Sequence, residues 1–266
     1  MATSKQESSW QYPSFQCHEF RVRASRFSVC IPVINEGNRI TAQLERMARF
    51  GILADIMIGD GGSTDGSNDP EKLRRLGVRT LLIKTGPGKL SAQLRMLFVY
   101  CIEQGYEGMV TLDGNGKDGI EAIPSFLEAL EQGYDFVQGS RFLPGGGEHN
   151  TPLDRKLGAK LIHAPLLSLA AGFQYTDTTN GFRAFSKQFL LDPRVQPFRD
   201  IFDTYNLHYY LSIKAPRLGY RVKELPVTRT YPESGPTPSK ISGISGKIAI
   251  LKMLVLAATG RYEPHG

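Results

Sequence analysis

The chain has 266 residues, enough for one large domain or two small ones, and its apolar fraction of 41% suits a globular protein with a sizeable core. The net charge of +6 is spread along the chain without a basic block or a nucleic-acid-binding motif, which argues against nucleic acid and favours a phosphate ligand or an anionic membrane surface. The three cysteines lack metal-ligand spacing and their odd number argues against a disulfide framework, so we expect a reducing compartment.

Hydropathy along the chain bears on membrane association. Residues 1–11 are polar and lack the apolar core of a signal peptide. The apolar stretches 161–173 and 248–258 are interrupted by polar residues and fall short of the roughly 20 residues that span a bilayer. We predict core helices there, and either could also lie along a membrane surface. The expectation is a cytoplasmic protein, with peripheral contact to the cytoplasmic face of the membrane left open.

Apolar runs alternate with amphipathic segments from residue 27 onward. The short apolar runs predict strands over 27–34, 52–58, 78–83, 109–112, 134–138, 177–185 and 222–227. Helical spacing predicts helices over 40–48, 71–76, 90–104, 120–132, 153–171, 198–218 and 245–259. This alternation is typical of an α/β fold with a mostly parallel sheet. We expect residues 1–25 to form a loosely structured arm whose aromatic side chains dock on a single domain, 26–266.

The stretch 108–118 carries the most informative loop. A buried strand ends abruptly in Asp-Gly-Asn-Gly-Lys-Asp, where the glycines allow a sharp turn. This places Asp113, and with it Asn115 and Asp118 as further candidates, at the carboxyl end of a strand, where open α/β sheets bind ligands. Oxygen ligands at this spacing suit a hard divalent cation that holds a diphosphate. The alternative is a polar turn without a ligand.

Other predicted strands end in loops that each allow two interpretations. Asp60 could bind a nucleobase or ribose, or brace an Asp-Gly turn. Glu36 could bind a ribose hydroxyl, or could be favoured by the helix dipole. Arg141 and Arg155 could grip a phosphate or form surface ion pairs. Lys89 could face a phosphate or be solvated.

Two later segments have the same ambiguity. Asp177 could act as a general base or brace the surrounding loops, and we favour bracing slightly. Arg229 precedes a proline-rich loop, and Ser239 and Lys240 follow it; together they could close over a nucleotide diphosphate, since long loops are commonly functional. The sequence contains no P-loop and no dinucleotide-binding fingerprint.

The order of these motifs is more specific than any one of them. Along the chain come Pro-x-x-Asn-Glu, Asp-Gly-Gly-Ser-Thr-Asp-Gly, Gly-x-Gly-Lys, Asp-Gly-Asn, Gly-Ser-Arg, Asp-x-Thr-x-Gly-Phe-Arg and Ser-Lys. This succession, from about residue 27 to 240, resembles the family 2 glycosyltransferases. It is most similar to the branch that contains dolichyl-phosphate mannose synthase and the polyprenyl-phosphate sugar transferases.

The resemblance implies a GT-A fold, a Rossmann-like central sheet flanked by helices, with a C-terminal amphipathic helix. It implies a donor-binding half at about 26–140 and an acceptor half at about 141–266. It also implies a nucleotide-diphosphate sugar as donor and Mg²⁺ or Mn²⁺ as cofactor, held by Asp113 and Asn115. The implied acceptor-binding residues are Arg141 and Arg155. The residues assigned to the donor are Pro32, Ile34, Glu36, Asp60, Lys89, Asp113, Arg229, Ser239 and Lys240.

The chain departs from the family pattern at several positions. Gly61 replaces the second acid of Asp-Asp-Gly-Ser, and Asn115 replaces the second acid of Asp-x-Asp. Ala159 stands where a serine is expected one turn after Arg155. We expect no C-terminal transmembrane segments of the kind that many relatives carry.

The resemblance implies an inverting glycosyltransferase that moves a sugar from a GDP- or UDP-sugar to a polyprenyl or dolichyl phosphate. Asp113, Arg141 and Asp177 are the candidate catalytic residues. Three alternatives stay open. The first is transfer to a saccharide hydroxyl in capsule or lipopolysaccharide assembly, with Asp177 as the base. The second is a nucleotide-sugar-binding protein without catalysis, and the third is a nucleotidyltransferase, whose usual Gly-rich N-terminal loop is missing.

Overall fold

The computed structural model describes residues 9–233 and 243–264. Its strands are β1 (Phe15–Glu19), β2 (Phe27–Val33), β3 (Asp55–Asp60), β4 (Thr80–Lys84), β5 (Gly108–Thr111), β6 (Phe136–Ser140), β7 (Gly147–His149), β8 (Arg183–Ser186), β9 (Val222–Pro226) and β10 (Thr228–Thr230). Its α-helices are α1 (Asn38–Phe50), α2 (Pro70–Arg75), α3 (Leu90–Glu103), α4 (Ile123–Glu131), α5 (Leu153–Gly158), α6 (Ala164–Ala171), α7 (Lys187–Leu191), α8 (Asn206–Arg217) and α9 (Gly243–Ala258). A 3₁₀ turn, Ile120–Ala122, precedes α4, and a π-helical turn, Ala159–His163, joins α5 to α6.

Eight strands form one central sheet in the order β1-β4-β3-β2-β5-β8-β6-β9. Strands β2 to β5 run parallel, as do β6 and β9, whereas β8 lies antiparallel between β5 and β6. Because β5 and β6 both oppose β8, the carboxyl ends of β2, β3, β5 and β6 lie at the same edge of the sheet. The predicted α/β fold with a mostly parallel sheet is confirmed. Strands β7 and β10 form a small separate pair beside that edge.

The central strands β2, β3 and β5 are buried on both faces, which explains why they read as continuous apolar runs. Along β2, Val29 and Ile31 face the layer that contains α1 and α4, while Cys30 faces the layer that contains α3. Helix α3 is buried on almost every side. The two layers fix the sheet from both sides and leave its carboxyl edge open to the loops.

Two predicted elements are shorter than expected, for the same physical reason. Of the strand predicted over 177–185, only Arg183–Ser186 is extended, because the Asn180 side chain accepts from the Phe182 amide at 2.9 Å and holds a loop. The helix predicted over 198–218 begins at Asn206, whose side-chain oxygen accepts from the amide of Asp203 at 3.1 Å. Polar side chains that bind nearby main chain compete with regular structure.

The N-terminal segment contributes a strand that the sequence analysis did not predict. Strand β1 pairs antiparallel with β4 at the edge of the sheet, and the ring of Trp10 packs on Phe198 with centroids 4.7 Å apart. Aromatic docking was expected, whereas an ordered edge strand was not. The signal is weak because β1 is short and half-exposed.

Candidate active site

The loops after β2 and β3 are held together by their own polar side chains. The amide of Asn35 donates to Ser63 Oγ at 2.9 Å, and Thr64 donates its amide to Asn35 Oδ1 at 2.8 Å. Ser67 Oγ accepts from the amide of Glu36 at 2.9 Å. These contacts place the Pro-x-x-Asn-Glu and Asp-Gly-Gly-Ser motifs side by side at the carboxyl edge.

Asp60 is fully buried and its carboxylate is used within its own loop. It accepts from the amides of Gly62 at 2.8 Å and Ser63 at 3.0 Å, and from Asn68 Nδ2 at 3.1 Å. This geometry corresponds to the second interpretation of Asp60, in which its carboxylate braces an Asp-Gly turn. A contact between Asp60 and a nucleoside stays a prediction.

The other predicted nucleoside residues lie at the end of β2. Pro32 is half-buried and Ile34 is exposed, so both can offer apolar surface to a base. Glu36 is nearly buried and forms an ion pair with Arg39 at 2.9 Å. Glu36 must therefore share its carboxylate between Arg39 and any ribose hydroxyl.

Asp113 lies at the centre of the carboxyl edge of the sheet and is bound by an arginine that is far away in sequence. Arg229 Nη2 donates to Asp113 Oδ2 at 2.7 Å, and Arg229 Nη1 donates to Asp118 Oδ1. Asp118 Oδ2 in turn accepts from the amide of Asp113 at 3.2 Å. Arg229 thus clamps both ends of the loop that follows β5.

Burial and neighbouring charges shift the pKa values of the acids at this site in opposite directions. Burial would raise the pKa of Asp113, but Arg229 and Lys117 outweigh it and lower that pKa to about 2. Burial raises the pKa of Asp118 despite the same arginine. Burial and the charge of Arg229 lower the pKa of Lys117 to about 8. Asp113 therefore stays ionised throughout the neutral range.

Asp113 and Asn115 are the residues predicted to hold a divalent cation. Asn115 Nδ2 donates to Asp113 Oδ2 at 3.2 Å, and Asn115 Oδ1 accepts from the backbone amide of Lys117 at 3.3 Å. One carboxylate and one amide oxygen are hard ligands that fit Mg²⁺ or Mn²⁺, although within the described residues no three His, Cys, Asp or Glu side chains could share a metal. A cation here would take most of its ligands from phosphate oxygens.

Gly181 allows Asp113 its position. A Cβ added at Gly181 would lie 2.8 Å from Asp113 Oδ1, closer than such a contact allows. Thr111 Oγ1 fixes the glycine by donating to its carbonyl at 2.9 Å. Gly181 of the Gly-Phe-Arg motif therefore contributes to the site because it has no side chain.

Arg141 and Asp177 form a buried two-pronged ion pair. Arg141 Nε and Nη2 donate to the two Asp177 oxygens at 2.7 and 3.1 Å, and Nη2 also reaches Thr179 Oγ1 at 2.6 Å. Burial would raise the pKa of Asp177, but Arg141 outweighs it and that pKa is lowered. A carboxylate committed in this way is a poor proton acceptor, so the geometry favours bracing over base catalysis.

Glu224 on β9 supports that ion pair from behind, a role that the sequence analysis missed. Its carboxylate accepts from the amides of Thr176 at 2.9 Å and Asp177 at 3.1 Å. The charge pattern of β9 gave no indication of this, because Glu224 reads as an ordinary polar residue of an edge strand. It acts on the loop and not on a ligand.

Three basic residues of the site lie around the ring of Tyr231. Its ring centroid lies 4.8 Å from Lys117 Nζ, 5.9 Å from Arg229 Cζ and 6.0 Å from Arg155 Cζ. The predicted acceptor residue Arg155 thus comes within reach of the donor side. Lys117 was overlooked because it sits in a glycine-rich turn between more conspicuous acids.

Similarity to known proteins agrees with this arrangement. No family model matches the chain. It is 30% identical to an undecaprenyl-phosphate mannosyltransferase of Micrococcus luteus over 90% of this chain and 96% of that protein. It is 31% identical to a dolichyl-phosphate hexose transferase of Haloferax volcanii over 79% of this chain and 88% of that protein. This chain belongs to the family 2 glycosyltransferases.

The fold of this glycosyltransferase is shared with a solved structure. Glucosyl-3-phosphoglycerate synthase of Mycobacterium tuberculosis, solved with Mn²⁺, UDP-glucose and phosphoglyceric acid, aligns with a TM-score of 0.62 over 98% of this chain and 83% of that one. The two are 15% identical. The expected GT-A fold is therefore confirmed.

The remaining predicted donor residues of the glycosyltransferase are Lys89, Ser239 and Lys240. Lys89 is exposed just before α3, and its amide donates to the carbonyl of Asp203 at 3.1 Å. Ser239 and Lys240 lie outside the described residues. The assignment of all three to the donor stays a prediction, as do the roles of the other site residues.

Proposed function

We propose that this glycosyltransferase moves a sugar, with inversion, from a nucleotide-diphosphate sugar to a polyprenyl phosphate. The donor would lie along the carboxyl edge, with its diphosphate at Asp113 and its nucleoside beside Pro32 and Ile34. The lipid phosphate would lie near Arg141 and Arg155. The names of the Micrococcus and Haloferax relatives support this acceptor class.

The observation that supports a lipid acceptor is an exposed apolar surface beside Arg155. We call it the apolar face. It consists of Leu153, Leu157, Leu161, Ile162, Leu169, Ile248, Leu251 and Val255, which are 42–83% exposed. These side chains lie on the helical segment from α5 to α6 and on α9, which packs against α6. An apolar patch of this kind marks an interaction site.

Basic residues accompany the apolar face. Lys160 and Lys252 are exposed on the same helices, and Lys247 pairs with Asp154 at 2.6 Å. Apolar side chains that enter the acyl region, with lysines at the headgroups, suit an anionic bilayer. Within the described ranges, no helix has both the length and the apolar character needed to cross a membrane. We propose a peripheral enzyme on the cytoplasmic face of the membrane, and the apolar face with its lysines supports the peripheral contact.

The residues of the site account for the chemistry of such a transfer. A lipid phosphate is already anionic and needs no general base, which agrees with the commitment of Asp177 to Arg141. Arg141 and Arg155 would orient the phosphate for in-line attack on the anomeric carbon. Mg²⁺ or Mn²⁺, held by Asp113 and Asn115, would offset charge on the leaving diphosphate. Arg229 would add to that stabilisation from the protein.

A transfer assay tests the proposal. Purified enzyme is incubated with GDP-mannose or UDP-glucose, with Mn²⁺, and with either a short polyprenyl phosphate or free saccharides. We expect a glycosylated lipid phosphate and a released nucleoside diphosphate. Transfer to saccharides alone would favour a hydroxyl acceptor. Donor binding without transfer or hydrolysis would favour a non-catalytic protein.

A vesicle experiment tests the apolar face. The double variant Leu161→Glu and Leu169→Glu places two charges where acyl chains are expected. We expect it to lose at least about tenfold in partitioning to vesicles that contain phosphatidylglycerol, because each buried leucine contributes about 1.5–3 kcal/mol. Sedimentation with vesicles measures the effect.

The control is Leu53→Glu, which alters a highly exposed leucine outside the apolar face. It should leave partitioning unchanged. Equal binding of all three proteins, or no binding of the wild type, would contradict the membrane role.

A further inference from the structure

Arg183, the last residue of the Asp-x-Thr-x-Gly-Phe-Arg motif, is a buried cation held by uncharged groups. The residue is 1% exposed, and every hydrogen bond of its guanidinium within the described part of the chain goes to a carbonyl or hydroxyl oxygen. Burial lowers the pKa of Arg183 to about 10, so the side chain keeps its charge at neutral pH. A buried charge is costly unless well-placed partners surround it, so the groups around Arg183 are held in a fixed arrangement.

The guanidinium group binds one loop of the site to a neighbouring helix. Its Nε donates to the carbonyl of Asn180 at 3.1 Å, and its Nη2 donates to the carbonyl of Thr178 at 2.8 Å. Its Nη1 donates to the carbonyl of His208, in the first turn of α8, at 2.8 Å. We call residues 176–182 the bridging loop. Because a planar guanidinium has its donors in fixed directions, Arg183 fixes this loop relative to α8, and a single ammonium group in its place could not reach all three carbonyls.

The bridging loop contacts residues assigned to the donor and to the acceptor. On the donor side, Gly181 lies so close to Asp113 that an added Cβ would stand 2.8 Å from Oδ1. On the acceptor side, Thr179 Oγ1 accepts from Arg141 Nη2 at 2.6 Å, and Asp177 forms the two-pronged ion pair with the same arginine. The three loop residues that make these contacts alternate along the chain with the two whose carbonyls the guanidinium holds. A shift of the loop would therefore reach both sides of the site.

We propose that Arg183 is a positioning residue for sugar transfer, which acts through the bridging loop to set the position of Arg141 relative to Asp113. The inference rests on the proposed function, which assigns one of these two residues to the acceptor and the other to the donor. In-line attack needs the lipid phosphate and the anomeric carbon in one geometry, and a misplacement of about 1 Å can cost roughly 10²-fold in rate. Arg183 itself is too deeply buried to contact either substrate, so its effect on the rate is exerted through the loop.

Arg183→Lys tests this proposal, because it keeps the positive charge and loses most of the contacts to the bridging loop. We expect kcat for transfer from GDP-mannose or UDP-glucose to a short polyprenyl phosphate to fall by about 10- to 100-fold. The affinity for GDP or UDP in Mn²⁺, measured by calorimetric titration, should stay within about threefold of the wild type, because Asp113 keeps its bond to Arg229. A merely structural role would not separate kcat from nucleotide affinity in the folded protein.

The matched control is Arg95→Lys, which alters a second buried arginine that donates to carbonyl groups. Arg95 is 5% exposed, and it donates to the carbonyls of Phe202, at 3.1 Å, and Gln11, outside the bridging loop. This variant should lose stability with little change in kcat, measured at a temperature where thermal unfolding shows each protein to be folded. An equal fall in kcat would attribute the effect of Arg183→Lys to lost stability and would overturn the inference.

Gly181→Ala is a second variant, which keeps Arg183 in place. The added Cβ would press on Asp113 and displace the bridging loop, so kcat should fall by a larger factor than nucleotide affinity. A wild-type kcat in either variant, or a parallel loss of kcat and nucleotide affinity in Arg183→Lys, would overturn the inference and leave the proposed function standing. Absence of transfer to the polyprenyl phosphate by the wild type would instead overturn the proposed function.

Discussion

Asp113→Asn is expected to lower the rate of sugar transfer by about 10²–10³-fold, the usual loss when one group that stabilises developing charge is removed. The substitution keeps the size of the side chain and removes the charge that would hold a cation beside the diphosphate. Arg229 keeps its second partner, Asp118, so the loop after β5 should stay in place. Initial rates with saturating donor and lipid acceptor measure the effect.

The control for this prediction is Asp200→Asn, an exposed carboxylate outside the site, which should transfer at the wild-type rate. Thermal unfolding of Asp113→Asn should show a folded protein. Full activity of Asp113→Asn with added Mg²⁺ or Mn²⁺ would exclude the assigned role of this carboxylate.

Asp177→Asn is expected to reduce the free energy of unfolding by about 3–5 kcal/mol, because it leaves the buried guanidinium of Arg141 without its counter-charge. For a domain of this size the melting temperature should fall by roughly 6–20 °C. Denaturant unfolding of the variant and the wild type measures the loss. A folded protein of wild-type stability that has lost only activity would instead support Asp177 as a base.

A matched exposed pair supplies the control for Asp177. Asp154→Asn breaks the ion pair between Asp154, whose side chain is 51% exposed, and Lys247, whose side chain is 62% exposed. It should change the free energy of unfolding by less than about 1 kcal/mol.

The contribution of Asp177 to the free energy of unfolding should change with pH in a defined direction. The pKa of Asp177 is lower in the folded protein than in the unfolded chain, where it is about 3.9. Its contribution is therefore fully present above about pH 4 and is lost as the pH falls through the folded pKa. The stability difference between wild type and Asp177→Asn should be constant from about pH 5 to 8 and shrink in acid.

Local sequence signals predicted most of the fold. The strands β2 to β6 and the helices between them followed from apolar periodicity, which depends only on neighbouring residues. The errors fell where polar side chains bind main chain, as at Asn180 and Asn206, or where a strand is very short, as in β7 and β10. Such contacts depend on tertiary context, and periodicity does not record them.

The location of the site was also accessible from sequence. Each polar loop follows a strand, and parallel strands bring their carboxyl ends to one edge, so Glu36, Asp60 and Asp113 could be grouped before any coordinates were known. What each side chain does there was not accessible. Asp60 braces its turn and Asp177 holds Arg141, since burial and register decided between two uses of the same carboxylate.

For this protein, sequence alone determined the family, the order of the strands β2 to β6 with the helices between them, and the chain segments that meet at the active edge. Motif order and local periodicity carry that information. Only the tertiary structure decided the pairs that span the chain. Arg229 reaches Asp113 across 116 positions of sequence, and Lys117 lies among the basic residues around Tyr231. Those contacts are fixed by sheet register and by the path of β10, which no local pattern encodes.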